Sequence, residues 1–208
     1  LSVAKLANLH INLNEPEEAI SVTEKYREKD SVNMYVNRQN AQAYCLTKDY
    51  RKAIDRYETL VNQGDSTRMT CYYLGMSYYA IEDYYGAHDF LEIAYKYDPK
   101  NINVLYYLGR ACAKTSWKRE GVALLNEAIN IATPSDSVMT NLYNGLIDCC
   151  NLAGMYKEQV DAYKEVYKYN PQKHTILYNI AAVYQDYIRD EKNAEKYLEA
   201  FLKTKPKA

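Results

Sequence analysis

The chain has 208 residues, 48% hydrophobic and 25% charged, with 26 Lys and Arg against 27 Asp and Glu and a formal net charge of −1. A balance of this kind lacks the cationic excess that phosphate contact needs, so nucleic acid is a poor first choice of partner. No run of about 18 apolar residues occurs, so no segment is read as crossing a membrane.

Taken in chain order, small residues recur in two registers of one period. Ala7, Ala41, Gly75 and Gly109 stand 34 residues apart, and Ala19, Ala53, Ala87 and Gly121 repeat the same step. Such a period predicts stacked helical hairpins, because a larger side chain at these positions would hold neighbouring helices apart. Counting from Gly75 gives repeats over residues 1–33, 34–67, 68–101, 102–135, 140–173 and 174–207, each read as two helices, and residues 1–208 as a single array.

In the first repeat Pro16 suits the opening turn of the second helix, while Tyr26 stands where a small residue is expected and no proline closes the unit. In the second, Asp49 falls where a side-chain oxygen would cap the second helix. The third is the most regular: Cys71, Leu74, Gly75, Tyr78 and Tyr79 share one helical face, Ala87, Phe90, Leu91 and Ala94 form the matching stripe, Asp83 caps and Pro99 closes. The fourth carries the only tryptophan, Trp117, in its turn. Four residues in excess precede the fifth, and Thr133-Pro134-Ser135-Asp136 is expected to form a longer loop. Within that repeat Ile147 and Gln159 replace small residues, which predicts a wider or shifted helix pair, and Pro171 closes it. The sixth has one extra residue near Asp190, after which Ala194, Leu198, Phe201 and Pro206 resume the register one place late.

Leu74-Gly75, Tyr78, Ala87, Leu91, Ala94 and Pro99 have the spacings of the tetratricopeptide repeat (TPR), which the segment from Cys71 to Pro99 closely resembles. The resemblance implies an all-α fold, a right-handed α-solenoid of antiparallel helix pairs wound into a superhelix. It also implies a noncatalytic protein-interaction scaffold that holds a peptide or helix of a partner in its concave groove. The first helices would line that groove. They offer Tyr35, Arg38, Gln39 and Gln42 in the second repeat, Met69, Tyr72, Tyr73, Met76 and Tyr79 in the third, and Asn103, Tyr106, Tyr107, Arg110 and Lys114 in the fourth. The fifth and sixth add Asn141, Asn144, Asp148, Asn151, Tyr178, Asn179 and Gln185. Amides can pair with a peptide backbone and tyrosines supply contact area at low entropic cost. The candidate partner-binding residues are therefore Arg38, Gln42, Tyr72, Tyr73, Met76, Tyr106, Tyr107, Arg110, Asn144 and Asn179, with the doubled pairs Tyr72-Tyr73 and Tyr106-Tyr107 as expected anchors.

The clamp with which chaperone-binding members hold a terminal carboxylate is not expected. The second to fourth repeats offer Arg38, Gln42, Tyr73, Asn103 and Tyr107, without the paired cations of the third helix. His10, His88 and His174 occupy unrelated repeat positions, and no phosphate-binding glycine run occurs, so no enzyme, metal or cofactor is expected. Two other functions compete. Leu142 through Gly154 looks like one unit of the RNA-reading pentatricopeptide repeat, and the array could instead space domains or self-associate through Leu198, Phe201 and Leu202 on its last helix. The chain ends at Lys205-Pro206-Lys207-Ala208 and is expected to be a piece of a longer protein. Five cysteines, an odd number without metal or framework spacing, are expected to be reduced and buried, which favours the cytoplasm; the alternative is an extracytoplasmic location after removal of a signal peptide upstream of Leu1.

Overall fold

A computed structural model describes residues 2–132 and 135–204. Among them every regular element is helical, which meets the all-α expectation, and the chain divides into two compact bodies, Leu1–Pro99 and Lys100–Ala208. Thr133, Pro134 and the terminal Lys205 to Ala208, singled out in the sequence, lie outside the described residues.

The first body holds three hairpins: α1 (Val3–Asn12) with α2 (Pro16–Arg27), α3 (Met34–Leu46) with α4 (Tyr50–Asn62), and α5 (Arg68–Ala80) with α6 (Tyr84–Tyr97). The second holds α7 (Ile102–Ala113) with α8 (Lys118–Ile131), α9 (Asp136–Ala153) with α10 (Tyr156–Tyr169), and α11 (Thr175–Val183) with α12 (Glu191–Lys203).

Capping chemistry recurs with the period. Asn33, Thr67, Asn101 and Ser135 accept hydrogen bonds from the backbone N–H groups of Val36, Thr70, Val104 and Val138, starting α3, α5, α7 and α9. Asp49, Asp83 and Asp190 cap α4, α6 and α12 in the same way. Five of the six hairpin turns place one residue in the left-handed region: Asn14, Lys48, Glu82, Gly154 and Arg189, with φ between 61° and 70°. The next residue then closes the turn: the N–H groups of Glu15, Asp49, Asp83 and Met155 donate to the carbonyls of His10, Tyr44, Tyr78 and Cys150. The α7–α8 turn departs from this form. No residue there has positive φ, and Trp117 takes the N-cap position of α8 without a side-chain cap bond.

These markers relocate the four excess residues. Ser135 keeps the 34-residue step from Asn101, so the excess lies within α9, which runs for 18 residues against 12 in α7. Four residues are about one helical turn, so α9 lengthens while its buried face keeps its heading. The loop expected over Ser135 and Asp136 is therefore corrected: the first caps a helix and the second begins it. In the sixth hairpin the single extra residue becomes a π-helical turn, Tyr184–Ile188, and the closing bond stretches to Asp190 N–H donating to the Tyr184 carbonyl.

Close approach within the hairpins depends on the small residues. A Cβ on Gly75 would stand 2.6 Å from Leu91 Cγ and 3.1 Å from the Ala87 carbonyl oxygen, and one on Gly121 only 2.4 Å from the Gly109 carbonyl oxygen. In the fifth hairpin Ile147 and Gln159 are both buried, and Gln159 Oε1 has no hydrogen-bond partner among the described residues.

The two cores differ in kind. In the second body Ala113, Leu125, Cys149, Cys150, Val160, Val166, Ile176 and Ile180 form one apolar cluster. In the first, the apolar cluster around Tyr57, Leu60 and Leu74 adjoins a polar network. Asn40 Nδ2 donates to Thr23 Oγ1 at 2.8 Å, Arg56 Nε donates to Asn40 Oδ1 at 3.0 Å, and Glu24 accepts from Tyr44 at 2.9 Å and from Arg56 at 3.3 Å. Arg27 bonds Asn37, whose Nδ2 donates to the Ser31 carbonyl at 2.9 Å. Burial alone would raise the Glu24 carboxyl, but the Tyr44, Arg56 and Asn40 contacts outweigh it and hold the group below its ordinary value. Asp65, 4% exposed, follows the same pattern, with desolvation overcome by Arg38, Thr67 and Thr70.

Gly121→Ala should destabilise the protein by roughly 1 to 3 kcal/mol through overpacking, in spite of the ~1 kcal/mol that alanine's helical preference returns. Ala123→Leu on the exposed face of α8 is the control. Thermal melts decide it: a Gly121→Ala midpoint equal to the parent's would refute the close backbone approach. The depressed carboxyls carry a sign as well. Their stabilisation is full above the ordinary carboxylate range of about 4 and disappears as pH falls through their lower folded values. The melting temperature should therefore fall on acidification, and a double variant Glu24→Gln, Asp65→Asn should melt lower at neutral pH yet show a flatter acid limb.

Candidate functional site

The residues expected in the groove fall on the first helix of each hairpin, and their surroundings separate them. On α3, Arg38 Nη2 donates to Asp65 Oδ2 at 2.7 Å, and Asp65 also accepts from Thr70 Oγ1 at 3.1 Å. Arg38 thus ties α3 to the turn between α4 and α5, with its side chain 40% exposed. Gln42 is half-buried on the same helix.

On α5, Tyr72 and Tyr73 meet edge to face with ring centroids 5.2 Å apart. Tyr73 also stacks on the buried Tyr57, 6.2 Å between centroids and 6° between planes, and Met76 packs against the same cluster. Burial, followed by the neighbouring Cys45, raises the Tyr73 hydroxyl above its ordinary value. Tyr73 and Met76 are therefore as much part of the core as of a surface.

In the second body Tyr106 and Tyr107 repeat the edge-to-face arrangement at 5.3 Å. Tyr106 lies against α9, where a Cβ on Gly145 would stand 3.0 Å from its Cε2. Arg110 Nη1 donates to the Tyr106 hydroxyl at 2.9 Å, its guanidinium lies 5.4 Å from that ring centre, and Nη2 stands 3.7 Å from Asp148 Oδ2. Arg110, one of the candidate partner-binding residues, thus already has a carboxylate beside it from α9. Asn144 and Asn179 are exposed.

Two cavities adjoin these residues. One of about 370 Å³ lies between α7 and α9, walled by Ile102, Tyr106, Tyr107, Val138 and Leu142 with Asn103 and Asn141. A second, of about 790 Å³, lies between α1 and α3 of the first body, where Tyr35, Arg38 and Gln39 face Lys5 and Asn8. Sequence reasoning missed the α1 side of that cavity, since the first repeat departs from the pattern that located the other groove residues.

No group of three or more His, Cys, Asp or Glu able to hold a metal occurs among the described residues. His10 Nδ1 stands 2.9 Å from Glu15 Oε2 and His88 Nδ1 3.3 Å from Asp89 Oδ1, so two histidines have acidic neighbours that the repeat spacing did not suggest. All five cysteines are buried and unbridged. Burial pushes the Cys45 thiol up to about 11 and those of Cys149 and Cys150 up to about 12, which suits packing rather than nucleophilic chemistry. No helix among the described residues is long and apolar enough to cross a membrane.

No protein-family model matches the chain, and no curated protein sequence matches it. Solved structures do. YrrB, described as a TPR protein with an unusual peptide-binding site, superposes with a TM-score of 0.72 at 17% identity, over 84% of this chain and 88% of that one. A MamA protein gives 0.69 at 19% identity, over 82% and 90%. TTC0263, a thermophilic TPR protein of Thermus thermophilus, gives 0.54 at 14%, over 87% and 96%. With its periodic caps, glycine-mediated hairpins and these structural relatives, the chain has the fold of the tetratricopeptide-repeat proteins.

Proposed function

We propose that the 208 residues form one array of six repeats and act as a noncatalytic protein-interaction scaffold, holding a peptide or helix of a partner against the first helices. One observation carries this proposal: the fold is shared with YrrB, whose structure is described as having a peptide-binding site. Side-chain chemistry supports it. Tyr72, Tyr73, Met76, Tyr106, Tyr107 and Arg110 supply the residue types enriched among binding hot spots, and Asn103, Asn141, Asn144 and Asn179 supply amides for backbone pairing. Of these, Tyr73 and Tyr106 are tied most firmly into the fold, Tyr73 by stacking on Tyr57 and Tyr106 by its contact with α9 at Gly145, so Tyr107 is taken as the test anchor. Arg110 acts by exchange: a partner carboxylate competes with Asp148 for its guanidinium.

Nucleic acid is not proposed as the partner, given the net charge of −1. The array is proposed to work in a reducing compartment, in keeping with five buried thiols. Self-association is a subordinate proposal, supported by the exposed Leu198 and Leu202 on α12.

Cross-linking of the full chain in its native host, followed by mass spectrometry of captured proteins, supplies the partner for titration. Tyr107→Ala should then weaken binding by about 1 to 2 kcal/mol, roughly 5- to 30-fold, with a smaller loss of melting temperature than Tyr73→Ala. Tyr73→Ala should lower the melting temperature. Unchanged affinity in both variants would remove the aromatic pairs from the binding face. Saturable, sequence-dependent RNA binding at near-physiological salt, lost on Asn144→Ala, would replace the scaffold with an RNA reader.

A further inference from the structure

Both bodies stack their hairpins by one rule: the second helix of a hairpin packs against the first helix of the next, as α2 does with α3, α4 with α5, α8 with α9 and α10 with α11. Particular positions carry the contact. Asn40 of α3 donates to Thr23 of α2 at 2.8 Å, and Tyr44 donates to Glu24 at 2.9 Å. One repeat further on, Tyr78 bonds Glu58, and Ser77 reaches back to Cys45 at 3.2 Å.

The same positions can be followed to the two helices that lack a neighbour, since among the described residues no helix precedes α1 and none follows α12. Leu9 has the register of Ala43, Ser77 and Ala111, each 0% exposed, yet is itself 49% exposed. Leu198, once the excess residues of α9 and the π turn are allowed for, has the register of Thr23, Tyr57, Leu91 and Leu125. Those four are at most 1% exposed, whereas Leu198 is 38% exposed and Leu202 beside it 60%. Both faces therefore carry leucine at places that other repeats bury, and they complement each other. Leu6 falls at the position of Asn40 and Leu198 at that of Thr23, so an apolar pair takes the place of a polar one. His10 falls at the position of Tyr44 and Glu199 at that of Glu24, so a donor again meets a carboxylate. Charge agrees: α1 holds Lys5 and His10 and no acidic residue, while Glu191, Glu195 and Glu199 follow one another at four-residue steps along α12.

We propose that α1 of one copy docks on α12 of a second copy of this chain, as the opening helix of a further hairpin. Leu6 and Leu9 cover Leu198 and Leu202 of the second copy. The His10 imidazolium donates from Nδ1 to Glu15, 2.9 Å away in its own chain, and from Nε2 to Glu199 of the second copy. The inference rests on the self-association reading and assigns that reading its occupant, leaving the groove of the first helices open to a partner. Such a contact is heterologous: each added copy presents one α1 face and one α12 face, so growth stops only where a ring closes.

Sedimentation of the full chain in a concentration series reaching about 1 mM tests it. The parent's mass should rise beyond that of a dimer. Leu9→Glu and Leu202→Glu, both at exposed sites, should each sediment as monomers with the parent's helical circular dichroism. Their equimolar mixture should form a heterodimer and nothing larger, because each variant supplies the face that the other lacks, and the heterodimer itself shows that both are folded. Glu199→Lys should weaken the association at least fivefold. A parent that stays monomeric throughout overturns this inference and the self-association reading together. Association of Leu9→Glu as strong as the parent's, a mixture without heterodimer, or an association untouched by Glu199→Lys overturns the α1–α12 contact alone.

Discussion

Everything else in this protein follows from how closely two helices of a hairpin can approach. Where Gly121 meets the Gly109 carbonyl, and where Gly75 meets Leu91 and the Ala87 carbonyl, the backbones are separated by less than a methyl group requires. Contact at that range turns one face of each helix fully inward, so that Leu74, Leu91, Leu105 and Leu125 are removed from water. Each such side chain contributes about 1.5 to 3 kcal/mol, which offsets the ordering of a chain whose local helices would be marginal alone. The same geometry decides what is left outside. A first helix committed on one face to its own hairpin and on another to the next presents a narrow strip to solvent, and the tyrosines and amides stand on that strip.

The two bodies solve the stacking of hairpins differently. The second relies on shape, with Cys149, Val160, Ile176 and Ile180 interlocked and few polar groups inside. The first places Thr23, Asn37 and Asn40 fully out of water and must satisfy each of them. Asn37 is met by Arg27 and the Ser31 carbonyl, and the chain Thr23, Asn40, Arg56, Glu24, Tyr44 satisfies the other two across three helices, so a shift of one residue along any of them would orphan several buried groups at once. Such an interface contributes little more net energy than an apolar one, but it admits fewer alternative registers.

Much of the fold was legible because its determinants are local and periodic: small residues for the crossings, Asp49 and Asp83 for the caps, Pro16 at a first turn. The misread segment was the one where the same residue types serve two purposes. Thr-Pro-Ser-Asp has the composition of a loop, and Ser135 is also an N-cap in step with Asn101 and Thr67. The candidate site was legible only as a set of positions. Whether Arg38 and Arg110 already hold a carboxylate depends on Asp65 and Asp148, 27 and 38 residues further on, and no pattern within one repeat contains that information. Tyr73 likewise reads as half of a surface pair until Tyr57 is seen beneath it.

The additional turn of α9 and the π-helical turn after α11 show how this architecture absorbs changes of length. An insertion of four residues passes through a helix as a whole turn, leaving every later side chain with its former heading, whereas a lone inserted residue must be stored as a local widening of the spiral. Hairpin turns have less latitude, since all but the α7–α8 turn fix one left-handed residue and one closing bond. The pitch of the helix thus sets which excess lengths a hairpin can hold without turning its later side chains: about four residues pass as a whole turn, and a single one is held in a π turn.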